Sequence, residues 1–198
     1  MRTLLLLITG VLLSTTAQAG NFVEVFRKVQ AGTETVDTFD AFMIRRFKGN
    51  PFGVSAFGLV TQGWAEWYVG PTFAPTDWLE VSVSVGGEQI EGDLGLRYST
   101  AIWAGNENWN ALATVELNNA TFDGDDTGLW YDITTTYKLM DWLSIGIRDR
   151  RTVGAGPHFV LTQPTAKVSL WTTWAPIDPE GIAPTDPTRF LLGTQLGF

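Results

Sequence analysis

His158 is the sole imidazole in the chain, and Ser169 is the hydroxyl that an antiparallel pairing would bring closest to it. Together they are the residues best placed for hydrolytic chemistry, which needs a nucleophile, a general base and an orienting group within hydrogen-bond reach. A two-residue turn at Gln163-Pro164 would set His158 directly across from Ser169, both on the polar face of adjoining strands. On the other side His158 would meet Arg148, a cation that disfavours the imidazolium a general base must become. No Gly-x-Ser-x-Gly elbow occurs. Catalysis is therefore the weaker reading of His158, and a hydrogen-bonded structural histidine the stronger.

The segment Asp123-Gly-Asp-Asp-Thr-Gly128 has Asp at the first and third positions of a calcium loop and Gly at the sixth. Thr127 stands at position five, and Thr134 occupies position twelve where a bidentate Glu is required, so the match fails. A solvated acidic loop is the better reading. With no cysteine at all, thiol catalysis, thiolate zinc sites, iron–sulfur clusters and lipid acylation are excluded. No cofactor motif is present, and a formal charge of −8 argues against a nucleic-acid partner.

The remaining candidates are charges that recur at alternate positions. In an antiparallel pair the turn fixes which residues face each other. Turns centred on Gly105–Asn108, Gly124, Met140 and Val153 would set Arg97 against Glu116, Glu116 against Asp132, Asp132 against Arg148, and Arg148 against His158. The expectation is one row across six neighbouring strands: Arg97, Glu116, Asp132, Arg148, His158 and Ser169. On the same face Arg97, Lys138, Arg148, Arg150, Lys167 and Arg189 outnumber Glu66, Glu80, Glu116 and Asp132. A water-filled interior with that balance would mildly favour anions.

The elements that must hold these side chains read as strands. Leu79, Val81, Val83 and Val85 alternate with Glu80, Ser82, Ser84 and Gly86. Leu94 and Leu96 through Ile102, Leu129 through Tyr137, Leu143 through Ile147, and Ala166 through Leu170 keep the same period. One apolar and one polar face per strand is what a period of two encodes. Ten strands are expected from about residue 53 to 198. Residues 21–48 add either a further hairpin, making twelve, or a short amphipathic helix over Phe39–Phe47 beside a ten-stranded barrel; twelve is the preferred count. Short breaks (Pro75–Asp77, Gly105–Asn108, Met140-Asp141, Gln163-Pro164) alternate with longer ones (Gly86–Gly92, Thr121–Gly128, Arg151–Gly156, Ala175–Thr188). Eight of the nine Trp fall near strand ends, as two aromatic girdles at membrane interfaces would, and Trp171 alone lies deeper.

The last segment, Phe190-Leu-Leu-Gly-Thr-Gln-Leu-Gly-Phe198, carries Phe190, Leu192, Leu196 and Phe198 on one face. It resembles the terminal strand of small bacterial outer-membrane β-barrel proteins, a broad class without one activity. The resemblance implies that Phe198 and Leu196 form a signature read by the barrel-insertion machinery, and that the last strand runs inward so that Phe198 lies at the periplasmic rim. At the other end, Arg2, the apolar run Leu4–Leu13 and Ala17-Gln-Ala19 have the layout of a secretory signal peptide cleaved after about Ala19. Residues 1–19 are thus read as signal peptide and 20–198 as an all-β, antiparallel, up-and-down transmembrane barrel in contact with outer-membrane lipid.

The functional expectation is a small outer-membrane barrel with a polar, charged lumen, acting as a narrow passive pore or a structural surface protein. The alternatives are a lipid-modifying enzyme using His158 and Ser169, and a soluble lipocalin-like binder.

Overall fold

The structure, a computed structural model, describes residues 20–30, 35–119, 128–178, 181 and 189–198. The expected signal peptide and Asp123–Thr127 of the acidic loop lie outside the described residues.

Twelve strands form one closed antiparallel sheet. They are β1 (Phe22–Gln30), β2 (Val36–Arg46), β3 (Phe52–Thr61), β4 (Trp64–Thr76), β5 (Leu79–Ile90), β6 (Asp93–Gly105), β7 (Trp109–Asn118), β8 (Leu129–Met140), β9 (Leu143–Arg150), β10 (Gly154–Gln163), β11 (Val168–Trp174) and β12 (Arg189–Gly197). Each pairs with its neighbours in sequence, and β1 closes the barrel on β12, with Phe22 opposite Gly197 and Gln30 opposite Arg189. Closure removes the unpaired edges that an open sheet would expose. Residues 21–48 form the β1–β2 hairpin, so the twelve-strand expectation holds and the helix alternative does not.

Alternation decides what each side chain meets. Leu79, Val81, Val83, Leu94, Leu96, Ile133, Ile145 and Val168 all stand on the outward parity and none lines the interior. Leu94 is 84 % exposed and Val83 58 %. Their in-register polar neighbours Glu80, Ser82 and Arg97 are buried. An apolar outside around a charged inside inverts a soluble barrel and suits lipid contact. The lipocalin-like alternative is thereby set aside.

Connection lengths differ from the expected alternation. The start of β1 and the end of β12 lie at one rim, here the terminal rim, together with the turns at residues 47–51, 77–78, 106–108, 141–142 and 164–167. At the far rim, β3–β4 and β5–β6 are joined by only Gln62-Gly63 and Glu91-Gly92. Glu91 (φ 51°) and Gly92 (φ 104°) both take left-handed backbone, the geometry that lets two residues reverse a twisted hairpin. The Gly86–Gly92 stretch is therefore mostly strand, β5 running on to Ile90.

Phe198 is held at the terminal rim, its amide donating to the Asn21 carbonyl (3.0 Å) while Gly197 N–H donates to Lys167 O (2.9 Å). Deleting Phe198 removes one rim hydrogen bond, a loss on the order of 1 kcal/mol. Assembly yield is expected to fall well beyond what that small change in unfolding midpoint would explain. Comparing in vivo insertion with urea unfolding of the refolded protein checks this, and equal losses would reduce Phe198 to a packing residue.

Candidate functional site

The lumen is filled unevenly. A cavity of about 900 Å³ begins among Asp77, Asn106, Glu107 and Lys167 at the terminal rim and ends against Glu66, Glu116, Arg148, Arg150 and Trp171. Past that roof the inward side chains are buried, including Gln30, Thr38, Glu88, Arg97, Thr173 and Leu191.

Two clusters form the roof. In the first, Arg97 on β6 gathers acids from three strands: Nη1 donates to Glu88 (2.6 Å), Nη2 to Glu116 (3.0 Å), and Nε lies 3.5 Å from Glu66. Its Nε donates to the Tyr68 hydroxyl (2.7 Å), and its guanidinium lies 5.8 Å from the Trp64 ring. In the second, Asp132 on β8 accepts from Arg148 Nη2 (2.6 Å) and Nε (2.9 Å), and from Arg150 Nη1 (3.1 Å). Arg148 sits over the Trp171 ring at 4.7 Å, while Arg150 lies between Phe26 (4.9 Å) and Trp130 (4.8 Å). Stacked guanidiniums keep their in-plane donors for carboxylates, an arrangement Lys could not reproduce. Arg150 also acts electrostatically on Glu66 and Glu116 of the first cluster.

The expected single row is accordingly corrected. Arg97 is directly opposite Asn118, and Glu116 opposite Ser99 and Trp130. Asp132 is opposite Thr114 and Arg150, and Arg148 opposite Thr134 and Gly156. The Arg97–Glu116 and Arg148–Asp132 contacts exist, but diagonally, because a guanidinium reaches a neighbouring pair. Glu116 and Asp132 belong to separate clusters.

His158 and Ser169 are not brought together. The β10–β11 turn contains four residues, Pro164–Lys167, and the Gln163 side chain caps it by accepting from Thr165 N (2.8 Å). His158 consequently faces Thr173, with Nδ1 2.8 Å from Thr173 Oγ1, and Ser169 faces Thr162 at 3.0 Å between hydroxyls. The nucleophile–base contact that the enzyme alternative needed is absent from this pair.

The charge balance is also corrected. Strands β1, β2 and the far end of β5 turn Glu24, Asp40 and Glu88 inward, all missed from sequence. Lys138 is half-exposed at the terminal rim beside Asp141 (3.3 Å). Lys167 belongs to a rim turn. Inside, Arg46 Nε donates to Glu80 (2.9 Å), joining β2 to β5 near the terminal rim. Seven inward carboxylates (Glu24, Asp40, Glu66, Glu80, Glu88, Glu116, Asp132) thus stand against six inward cations, Lys28, Arg46, Arg97, Arg148, Arg150 and Arg189. The cavity itself is lined by eight carboxylates and only Arg148, Arg150 and Lys167, an acidic lining that argues against the expected anion preference.

The tryptophans divide by face as well as by height. Trp67, Trp109 and Trp174 are outward at strand ends, as a girdle requires, and Trp142 is exposed in a rim turn. Trp103, Trp130 and Trp171 instead line the lumen, Trp78 lies at its mouth, and Trp64 stacks with Arg97. Trp171 lies flat across β12, its Nε1 donating to Glu24 on β1 (2.7 Å), and Gly193 makes this possible. A Cβ at Gly193 would sit 2.3 Å from the Trp171 ring. Gly193→Val is expected to lift the indole off Glu24 and destabilise the barrel by about 1–3 kcal/mol. A red-shifted tryptophan emission with a lowered unfolding midpoint would show it, and an unchanged spectrum would contradict it.

No family model matches the chain, and no curated protein sequence matches it. Solved structures do. A protein from a study of the in-meso crystallization of membrane proteins aligns over 90 % of this chain and 83 % of its own, with TM-score 0.57 and 9 % identity. Outer membrane phospholipase A from Escherichia coli aligns over 90 % of both chains (0.54, 14 %), and the KdgM porin over 89 % and 99 % (0.51, 12 %). Identities this low carry the fold and nothing finer. In fold this chain is a small, twelve-stranded outer-membrane β-barrel with a polar, charged lumen.

Proposed function

We propose that this protein is a structural barrel of the bacterial outer membrane whose lumen is closed toward the cell exterior and open, as a vestibule, toward the periplasm. In this reading residues 1–19 are removed as a signal peptide, and the barrel-insertion machinery engages the terminal strand through Leu196 and Phe198. The terminal rim then faces the periplasm.

One observation carries the reading. Every strand except β8 places a buried inward side chain at or beyond the cavity roof, from Phe26 on β1 and Leu59 on β3 to Arg97 on β6, His158 on β10 and Leu191 on β12. A water-filled pore would leave such side chains wet. Here Arg97 and the Asp132 cluster are instead locked by ion pairs that are costly to separate once desolvated. At the far rim Lys28 Nζ also reaches across to the Thr152 carbonyl (3.4 Å). KdgM is described as a porin and the Escherichia coli protein as a phospholipase. A passive pore would need this layer to part, and a lipid enzyme would need a nucleophile that His158 does not meet at Ser169.

The absence of native cysteine makes a direct test possible. Ser99→Cys places a thiol in the vestibule and Glu91→Cys one at the far rim. A membrane-impermeant maleimide added to intact cells should label Cys at 91 and spare Cys at 99 until the outer membrane is permeabilised. Equal labelling of both from outside would overturn the reading.

A further inference from the structure

We propose that Glu24 and Asp40 form the head of a binding site for a primary organic ammonium inside the vestibule. The two carboxylates are directly opposed on β1 and β2, and both line the cavity. Like charges placed opposite each other in a sheet repel, and no cationic side chain among the described residues donates a hydrogen bond to either carboxylate. Glu24 accepts one hydrogen bond, from Trp171. Asp40 is only 7 % exposed, and its Oδ1 has no hydrogen-bond partner among the described residues. A buried carboxylate oxygen facing a cavity without a donor is a rare arrangement, and an occupant that brings donors resolves it.

The surroundings say what kind of occupant. Arg148 and Arg150 act on the pair electrostatically but direct their hydrogen bonds to Asp132. Glu24, Asp40 and Asp132 thus set three carboxylates against two guanidiniums, with His158 formally neutral, and one further positive charge balances the group. Among the described residues no cluster of three or more carboxylate, imidazole or thiolate ligands occurs, so a chelated divalent ion is a poor fit. A primary ammonium supplies three donors and one charge.

Beside the pair, one step toward the terminal rim, Phe22 and Phe42 stack at 5.9 Å, and Phe57 continues that wall opposite Phe42. These rings line the cavity next to the carboxylates. They offer apolar area for a carbon skeleton and π-faces for the charge. A cavity of about 900 Å³ holds a molecule of drug size. The expected ligand is therefore an amine carried on an aromatic or alkyl body. A free small molecule or a lysine side chain of a peptide would both present that chemistry.

Titrating the detergent-folded, full-length barrel with 2-phenylethylammonium, followed by tryptophan emission and calorimetry, tests this. Trp171 reports on the site because it bonds Glu24. Saturable binding is expected in the millimolar range or tighter, about tenfold or more weaker for Asp40→Asn, which removes a charge-assisted hydrogen bond. The neutral isostere 2-phenylethanol should lose at least as much, and Asp141→Asn on a rim turn should change nothing. An acetylated, amidated Ala-Lys-Ala peptide forms the second arm, and whichever ligand binds tighter identifies the source. Circular dichroism confirms that each variant is folded, and Glu24→Gln repeats the test if Asp40→Asn fails to refold. Absence of saturation, or equal affinity for the alcohol or for the Asn variant, overturns the proposal.

Discussion

Replacing Arg97 with alanine is expected to be among the most damaging single changes in the barrel. It leaves Glu66, Glu88 and Glu116 buried together without the guanidinium that pairs with all three, and removes the donor to Tyr68. Stranding buried carboxylates in this way costs about 3–5 kcal/mol. The sign reverses for the acids. Three carboxylates share one guanidinium, so Glu88→Gln relieves repulsion while its amide still accepts from Arg97, and its effect should be small or mildly stabilising. Arg97→Lys should recover only part of the loss, because an ammonium cannot address three strands in one plane. Urea unfolding in lipid vesicles at fixed ionic strength measures all three. A loss for Glu88→Gln equal to that for Arg97→Ala would contradict this description of the cluster.

Asp132→Ala is expected to match it. Asp132 is the acceptor for both Arg148 and Arg150, so its removal leaves two buried guanidiniums side by side, again about 3–5 kcal/mol. Arg148→Ala should cost distinctly less, since Arg150 still neutralises Asp132 and the Trp171 ring can settle into the vacated space. The order of the two variants is the diagnostic feature. If Arg148→Ala proves the worse, the stacking on Trp171 outweighs the ion pair, and the cluster is held by its aromatics.

How much of this was legible in the chain depends on the length scale. Face and strand were legible because a period of two survives any even slip: Leu94 and Leu96 point outward and Arg97 inward whatever the register. Register was not, because it is set by turn size, and turn size is decided by local details such as the Gln163 cap on the four-residue turn after β10. The errors had unequal consequences. Arg97 and Arg148 reach their carboxylates diagonally, so those contacts tolerate a displaced register. Ser169 has no such reach, and its predicted contact with His158 vanished. Glu24 and Asp40 were missed for another reason. On β2 apolar residues fall on both faces, with Phe42 and Ile44 inward and Phe39 and Met43 outward, which blurs the period and admitted a helix. On β1, Val23, Val25 and Val29 did carry a readable signal. The inward tryptophans were legible in height but not in face, since Trp suits both a membrane interface and an arginine.

The central claim is that the far half of the lumen is sealed, and planar-bilayer conductance tests it most directly. Refolded wild-type protein is predicted to give no discrete channel events above those of the detergent alone. If Asp132→Ala loosens the layer, the events that arise should favour cations, given the acidic vestibule. Stable, ohmic channels from the wild-type barrel under the same conditions would contradict the claim.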